Sequence, residues 1–398
     1  MPCSNRYNVF VKKGSGVFLK TSSQKDSRPL FRQLFSACSA VSALIVVCGA
    51  VPLAAQSPEH FALDTVLGID AFGGENVSNH PQIIIDISGG VRISDHVQAY
   101  IRPWFRLPRP NTPTAAVPDW SHELYQAGVR YERPGHPGRP AMRLDLGYNV
   151  SPIGLGIPDT RPSLNPLIAA HVSYVSPMPA FDLTVPRVSA ISQTYPLGAQ
   201  VTVSSTHWDA RGAVLNAAPT RNYAVGRPTR PRQTPAFVVG AGATPVTGLR
   251  VGVSVAQGHY ATAAEVTGPA PSDRSVTIVG GEGEYAFGYT KISGEIVRSR
   301  FERSAGSAIA YEYFVQGIQT LAPRWFVAAR HESTLAPPLV TATFVGQRTR
   351  LAMVETTVGF RVTPDVTLRS SYYTRRSYGA SAWDHQVGVS AVWARKWW

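Results

Sequence analysis

From Phe61 onward the chain repeats one pattern: short runs in which apolar and polar residues alternate, bounded by Gly, Pro, Asn or Asp. The run "VQAYIRPWFRL" sorts Val97, Ala99, Ile101, Pro103, Phe105 and Leu107 against Gln98, Tyr100, Arg102, Trp104 and Arg106. Ile83, Ile85, Ile87, Val91 and Ile93 stand opposite Asp86, Ser88 and Arg92. Met142, Leu144, Leu146 and Tyr148 stand opposite Arg143, Asp145 and Asn149. A period of two places successive side chains on opposite faces of a sheet, and no convincing helical period competes with it. The expected strands are 62–71, 82–93, 97–107, 122–132, 140–149, 195–205, 208–217, 236–243, 248–257, 274–287, 290–300, 310–321, 324–333, 350–362, 365–375 and 382–394, sixteen in all. Ten residues at about 3.3 Å each, tilted by about 40–45°, cover roughly 23–25 Å, the height of an outer-membrane apolar band.

The connections alternate as well. Tight turns are expected at 94–96, 133–139, 206–207, 244–247, 288–289, 322–323 and 363–365. Longer Pro-, Gly- and Arg-rich segments are expected at 72–81, 108–121, 150–194, 218–235, 258–273, 301–309, 334–349 and 376–381. Transmembrane barrels have this asymmetry between their two ends, whereas sandwiches and propellers have no reason for it. The third long segment exceeds forty residues and carries Ile153, Leu164, Leu167, Ile168, Val172, Tyr174 and Phe181. A structureless loop of that length is odd in a compact soluble domain. Inside a barrel it can fold inward, narrow the lumen and bury its apolar residues.

Periodicity alone does not distinguish an apolar face that meets a core from one that meets lipid. Other features favour lipid. Residues 1–56 run from Lys25, Arg28 and Arg32 through "LFSACSAVSALIVVCGAVPLAAQ", which has the layout of a secretory signal; a single helical anchor is the alternative. Cys3, Cys38 and Cys48 all lie in this segment, so residues 57–398 can form no disulfide framework. Mean hydropathy is −0.06, which a transmembrane strand permits because its two faces average out. Tyr125, Tyr131, Tyr148, Tyr195, Trp208, Tyr285, Tyr311, Tyr313, Trp325, Trp383 and Trp393 fall mostly near strand ends, the depth favoured by rings with a polar tip. In the final run "WDHQVGVSAVWARKWW", Val387, Val389, Ala391, Trp393 and Trp397 share one parity and Trp398 takes the other.

The chain resembles a Gram-negative outer-membrane porin, with spacing similar to the phosphate-selective type, over most of residues 60–398. The stretches that carry the likeness are "MRLDLGYNVSPIGLG", "YPLGAQVTVSSTHWDARGAVLNA", "YEYFVQGIQTLAPRWFVAARHES" and "VGFRVTPDVTLRSSYYTRR". The resemblance implies an all-β, closed antiparallel transmembrane barrel of sixteen strands with an inward-folded third loop. It also implies passive passage of small solutes, usually as a homotrimer, in the outer membrane after signal cleavage. The lysine ladder linked to phosphate selectivity has no counterpart, since Lys291 and Lys396 are the only lysines after residue 56.

The net charge is +13. Residues 1–56 hold seven Lys/Arg and one Asp, leaving +7 on the rest. For an exported chain this excludes nucleic acid as partner and points instead to arginines that hold anions in a wet channel. The candidate pore-lining residues are Arg92, Arg102, Arg106, Arg130, Arg143, Arg211, Arg361, Arg369 and Arg375, with Glu282 and Glu284. Asp86, Glu132, Asp145, Asp209, Glu295 and Glu355 share lumen parity. These charges either pair across strands and hydrate the wall, or form an arginine ladder that faces acids across a constriction and weakly favours anions. A further cluster, Arg221, Arg227, Arg230 and Arg232, either is a solvated face or bridges anionic lipopolysaccharide. "HELYQ" and "HESTL" lack the second His of a zinc-hydrolase motif, and "GGEGEYAFG" lacks phosphate-cradle spacing. The expectation is no enzyme, no metal and no cofactor. The partners are lipid, lipopolysaccharide, the barrel-assembly machinery and small hydrophilic or anionic solutes. A non-conducting barrel with a structural, adhesive or assembly role is the alternative.

Overall fold

The computed structural model describes residues 60–74, 80–109, 118–156, 161–226, 233–268, 271–304, 306–341 and 343–397. The expected signal segment, its three cysteines and Trp398 lie outside these residues. Sixteen strands follow one another: β1 (Phe61–Gly74), β2 (Gln82–Ser94), β3 (Val97–Leu107), β4 (Ser121–Arg133), β5 (Ala141–Tyr148), β6 (Leu197–Ser204), β7 (Trp208–Leu215), β8 (Ala236–Val246), β9 (Leu249–Ala261), β10 (Arg274–Phe287), β11 (Thr290–Glu302), β12 (Ser307–Ala322), β13 (Trp325–Ala336), β14 (Thr349–Arg361), β15 (Val366–Arg376) and β16 (Asp384–Lys396). One short helix, α1 (Val172–Val175), lies within the β5–β6 connection. Each strand pairs antiparallel with its chain neighbours, and β1 pairs with β16, which closes the barrel. Closure leaves no exposed sheet edge.

Tight turns gather at one end of the strands and longer connections at the other. The turn end includes the two-residue turn at Gly248, whose φ of +86° admits glycine at no steric cost. The outward positions are apolar, as on β8 and β9, where Phe237, Val239, Val253 and Val255 are exposed. No helix among the described residues is long and apolar enough to cross a membrane, which says nothing of strands. At the turn end the outward rings touch in pairs: Tyr285 with Phe287, Trp325 with Phe360 and Trp393 with Trp397. Trp397 also donates its indole N–H to Thr65 Oγ1 at 2.8 Å, fastening the last described residue to the first strand.

Two expectations need correction. Tyr125 and Tyr195 are not rim aromatics: both are buried inside the barrel, with rings stacked at 4.0 Å and Trp104 packed on Tyr125 at 4.3 Å. The register of β3 against β4 skips Tyr125, a bulge that lets it share the inner side with Gln126. Second, the inner face is polar only in part. Many inward positions on the loop-end half of β9–β12 are apolar, namely Tyr260, Val276, Ile278, Val297, Phe301, Ala308 and Ala310. The polarity of the two faces inverts there, with Gln257, Arg298 and Arg300 exposed on the outward side, and β9 and β13 run on past their expected ends at 257 and 333.

Candidate functional site

The inner side of the barrel is organised by the third long connection, residues 149–196. It leaves β5 and crosses the lumen, so that Ile153 packs toward Gly280 of β10 and the Leu155 amide meets Glu295 of β11. It then follows the wall. Arg161 reaches Asp86 of β2 at 2.8 Å, and Pro162 sits against Gly68 of β1. Arg369 of β15 donates to the carbonyls of Pro162, Asn165 and Leu167 at 3.2, 2.6 and 2.6 Å. The Ile168 and Ala169 amides donate to Glu355 of β14 at 2.9 and 3.1 Å. The Val172 and Ser173 amides and the Ser173 hydroxyl donate to Glu332 of β13 at 3.0, 3.3 and 2.9 Å. The Tyr174 hydroxyl donates to Glu295 at 3.1 Å. Residues 161–174 thus pass β2, β1, β15, β14, β13 and β11 in order around the inner circumference. Wall carboxylates hold the loop's N–H groups and wall guanidiniums its carbonyls, satisfying backbone that burial would otherwise leave without water.

The loop's apolar residues bury themselves in turn. Met178, Phe181, Val188, Ile191 and Tyr195 join inward residues of β7–β13 in one cluster. Val172 joins Leu351, Met353 and Tyr373 in another. Burial and the nearby Glu295 and Glu312 hold the Tyr174 phenol neutral, well above its usual titration range. At Asp182 burial pushes the carboxyl up. The Thr184 hydroxyl and amide, the Ser304 amide and Arg274 outweigh it and hold the group below the ordinary aspartate value.

One stretch of inner wall stays free of these loop contacts: the turn-end half of β4–β11. Asp145 takes Arg130 and Arg143, each at 2.6 Å, and Glu132 lies 3.6 Å from Arg130. Arg250 holds Asp209 with two bonds of 2.8 and 2.9 Å and Glu282 with a third of 2.7 Å. Arg211 completes the group at 2.7 Å from Glu282 and 2.6 Å from Ser254. Lys291 pairs with Glu284 at 2.7 Å. Glycines make this network lie flat. A Cβ on Gly242 would stand 2.5 Å from Asp209 Oδ2 and 2.7 Å from Arg250 Nη2, and one on Gly240 would stand 2.8 Å from Arg211 Nε. Arg143, Glu132 and Lys291 keep 41%, 51% and 51% of their side chains exposed, so the wall is wet.

The eleven candidate residues therefore separate. Arg130, Arg143, Arg211, Glu282 and Glu284 belong to the uncovered wall. Arg102 forms a two-bond pair with Asp86 at 2.9 Å, and Arg106 lies 3.2 Å from Glu123, each bonded to the neighbouring strand. Arg369 is buried under the loop, and Arg375 contacts Ser176 of the loop at 3.5 Å. Arg92 is exposed near the turn end, while Arg361 stacks over Phe326 at 5.3 Å. The ladder facing acids across the lumen is not what forms. Arginines bond acids on their own or a nearby strand, the longest reach being Arg211 of β7 to Glu282 of β10, because adjacent side chains on one face stand about 5 Å apart and the opposite wall lies much farther. Arg161, Arg250, Arg330 and Glu332 were missed. The last three were legible as inward parity, Arg250 beside alternating valines and Arg330-x-Glu332 beside Val327 and Ala329. Arg161, on the loop, left no periodic signal. Of the basic cluster, Arg221 bonds Glu265 at 2.8 and 2.6 Å, and Arg227, Arg230 and Arg232 lie outside the described residues. No group of His, Cys, Asp and Glu among the described residues could hold a metal ion.

No protein-family model matches the chain, and no curated protein does. Solved structures do match. The loop L8 deletion mutant of OmpT, an outer membrane protein of Vibrio cholerae, aligns over 84% of this chain and 99% of its own with a TM-score of 0.50 at 13% identity. OmpF of Salmonella typhi, in complex with daunomycin, aligns over 84% of this chain and 97% of its own with a TM-score of 0.52 at 10% identity. The likeness is one of fold: a closed antiparallel barrel of the outer-membrane kind.

Proposed function

We propose that this barrel is a porin of the Gram-negative outer membrane, with its tight turns toward the periplasm and its loops outside. Small hydrophilic solutes diffuse along the inner wall of β4–β11. The observation that carries this reading is the path of the third loop. It binds the wall at β1, β2 and β11–β15 and makes none of these bonds to the flat ionic network of Arg130, Arg143, Arg211, Arg250, Asp145, Asp209 and Glu282, beside which Arg143, Glu132 and Lys291 are exposed to water. Transverse rows of fixed charge in a narrowed lumen orient and select small ions. Arg92 and Arg361, which no acid among the described residues offsets at hydrogen-bond distance, give the lumen a weak preference for anions. With one lysine on the inner wall of the described barrel, Lys291, phosphate has no special claim. Lipid, lipopolysaccharide and the barrel-assembly machinery are the partners this placement entails, and a homotrimer is the assembly to look for by crosslinking.

Conductance of the refolded chain in planar bilayers tests the proposal. Discrete current steps with an anion-leaning reversal potential in a salt gradient support it. Clear cation preference removes the selectivity, and absence of steps removes the channel. A second reading, a non-conducting barrel with a structural or adhesive role, is favoured by one observation. At the loop end, apolar residues of the third loop and of residues 217–224 pack without exposure against β7–β13. That reading expects no current even when the loop's anchors are removed.

A further inference from the structure

At the loop end, three connections enclose a cavity of about 400 Å³: the third loop, the β7–β8 connection and the β9–β10 connection. That volume lies within the range of small-molecule sites, roughly 300–1,000 Å³. It is set apart from the ionic wall, which lies in the turn-end half. One side is apolar, formed by Val175, Pro177 and Pro186, and Val175 remains exposed although its neighbours in α1 are buried. The other side is polar. Arg221 is buried and fixed, its guanidinium bonded twice to Glu265 at 2.8 and 2.6 Å. Glu265 is held in turn by the Thr262 amide and hydroxyl, each at 3.0 Å. That pair cancels its own charge and supplies a rigid rim.

Two groups remain unspent. Thr220, 1% exposed, is one of the residues lining the cavity, and its buried hydroxyl has no hydrogen-bond partner. A buried hydroxyl in that state costs stability, and a ligand oxygen would relieve it. Arg187 lines the same cavity, is exposed, and has no acid within bonding distance among the described residues. One free guanidinium, one unsatisfied donor and an apolar flank describe an anionic head on an apolar body.

We propose that this pocket binds a small amphipathic carboxylate, its charged end taken by Arg187 and the Thr220 hydroxyl and its body lying on Val175, Pro177 and Pro186. The site is a capture point at the mouth of the barrel and is separate from the passage argued above. It holds whether or not the barrel conducts.

The test is binding to the refolded full-length barrel in a neutral detergent, read by saturation-transfer NMR with benzoate and with benzylamine. These probes have the same ring and opposite charge. Benzoate is expected to bind and benzylamine not. Arg187→Gln, at an exposed position, should weaken benzoate about tenfold, the size of one lost charge-assisted contact. Thr220→Val should also weaken it while leaving the barrel as heat-resistant as before or more so, because the unsatisfied hydroxyl is gone. Equal binding of the two probes, or benzoate binding unchanged in Arg187→Gln, overturns the proposal. Benzoate binding by a barrel that passes no current removes the porin reading and leaves this one standing. Current steps without benzoate binding do the reverse.

Discussion

The guanidinium of Arg369 lies 2.6 Å from the carbonyl oxygen of Leu167, two hundred residues earlier in the chain. Two more loop carbonyls, those of Pro162 and Asn165, share the same nitrogen. An arginine expected to line the pore instead fixes the loop that narrows it. Arg369→Ala should free residues 162–167. Each hydrogen bond to a charged group contributes about 1.5–3 kcal/mol, so losing this set leaves the segment largely unheld. Larger, noisier current steps and faster protease cleavage in the loop are expected. Arg369→Lys should restore little, since a single ammonium does not reproduce the guanidinium's fork. A quiet, protease-resistant Arg369→Ala barrel would show that the anchor is dispensable.

Glu332 makes the matching contact on β13. Glu332→Ala strands the Val172 and Ser173 amides away from water, costing about 1–3 kcal/mol for each buried group left unpaired. Glu332→Gln keeps an acceptor oxygen and should lose less. Mobility shifts on heating in detergent gels should therefore order the variants as wild type, Glu332→Gln, then Glu332→Ala. The same midpoint for Gln and Ala would mean that the carboxylate's charge, not its acceptance of two amides, holds the loop.

The alternation of Val97 to Leu107 and of Ile83 to Ile93 makes the outward face readable, and loop lengths make the two ends readable. Together these determine a sixteen-stranded up-and-down barrel, and β3 and β10 begin and end where their patterns do. The inner face is legible only where it is wet. At Asp86, Arg102, Asp145 and Arg211 the polar parity signals a lumen, but parity does not say which acid an arginine meets. At Tyr260, Val276 and Phe301 the inward side is apolar while Gln257, Ser275 and Arg300 take the outward parity, because the loop fills the space with a core of its own, and periodicity does not say which side is inside there. Contacts such as Arg161 to Asp86 join loop to wall across 75 residues and follow from closure of the barrel, not from local pattern.

Acid should loosen one part of the loop before the rest. Asp182 titrates below its ordinary value of 3.8 because the charged form is held by Thr184, Ser304 and Arg274. A depressed carboxylate stabilises the fold at all pH above its unfolded value, and that contribution disappears as pH falls through the native value. Between pH 7 and about 5 no change is expected; below about pH 4 the segment around Phe181–Thr184 should open. Pepsin cleavage there, set against cleavage in Asp182→Asn, measures it. The variant should be cleaved at every pH where the protease acts, and a wild-type pattern from it would dismiss the role of the charge.

Gly242 tests whether the flat ionic network shapes the passage. A methyl group there would occupy space 2.5 Å from Asp209 Oδ2 and 2.7 Å from Arg250 Nη2, so the two-bond pair must lift off the wall toward the lumen. Gly242 is not among the glycines with positive φ, so alanine imposes no backbone strain and the barrel should assemble normally. On the porin reading, Gly242→Ala then lowers single-channel conductance while leaving the stability of the barrel within about 1 kcal/mol of wild type, the scale of a part-exposed ion pair displaced into water. Gly283, an outward glycine of β10 whose nearest neighbour for a Cβ is 3.8 Å away, is the control: Gly283→Ala should leave the current unchanged. Equal conductance in Gly242→Ala and Gly283→Ala would place the solute path away from β8 and β9.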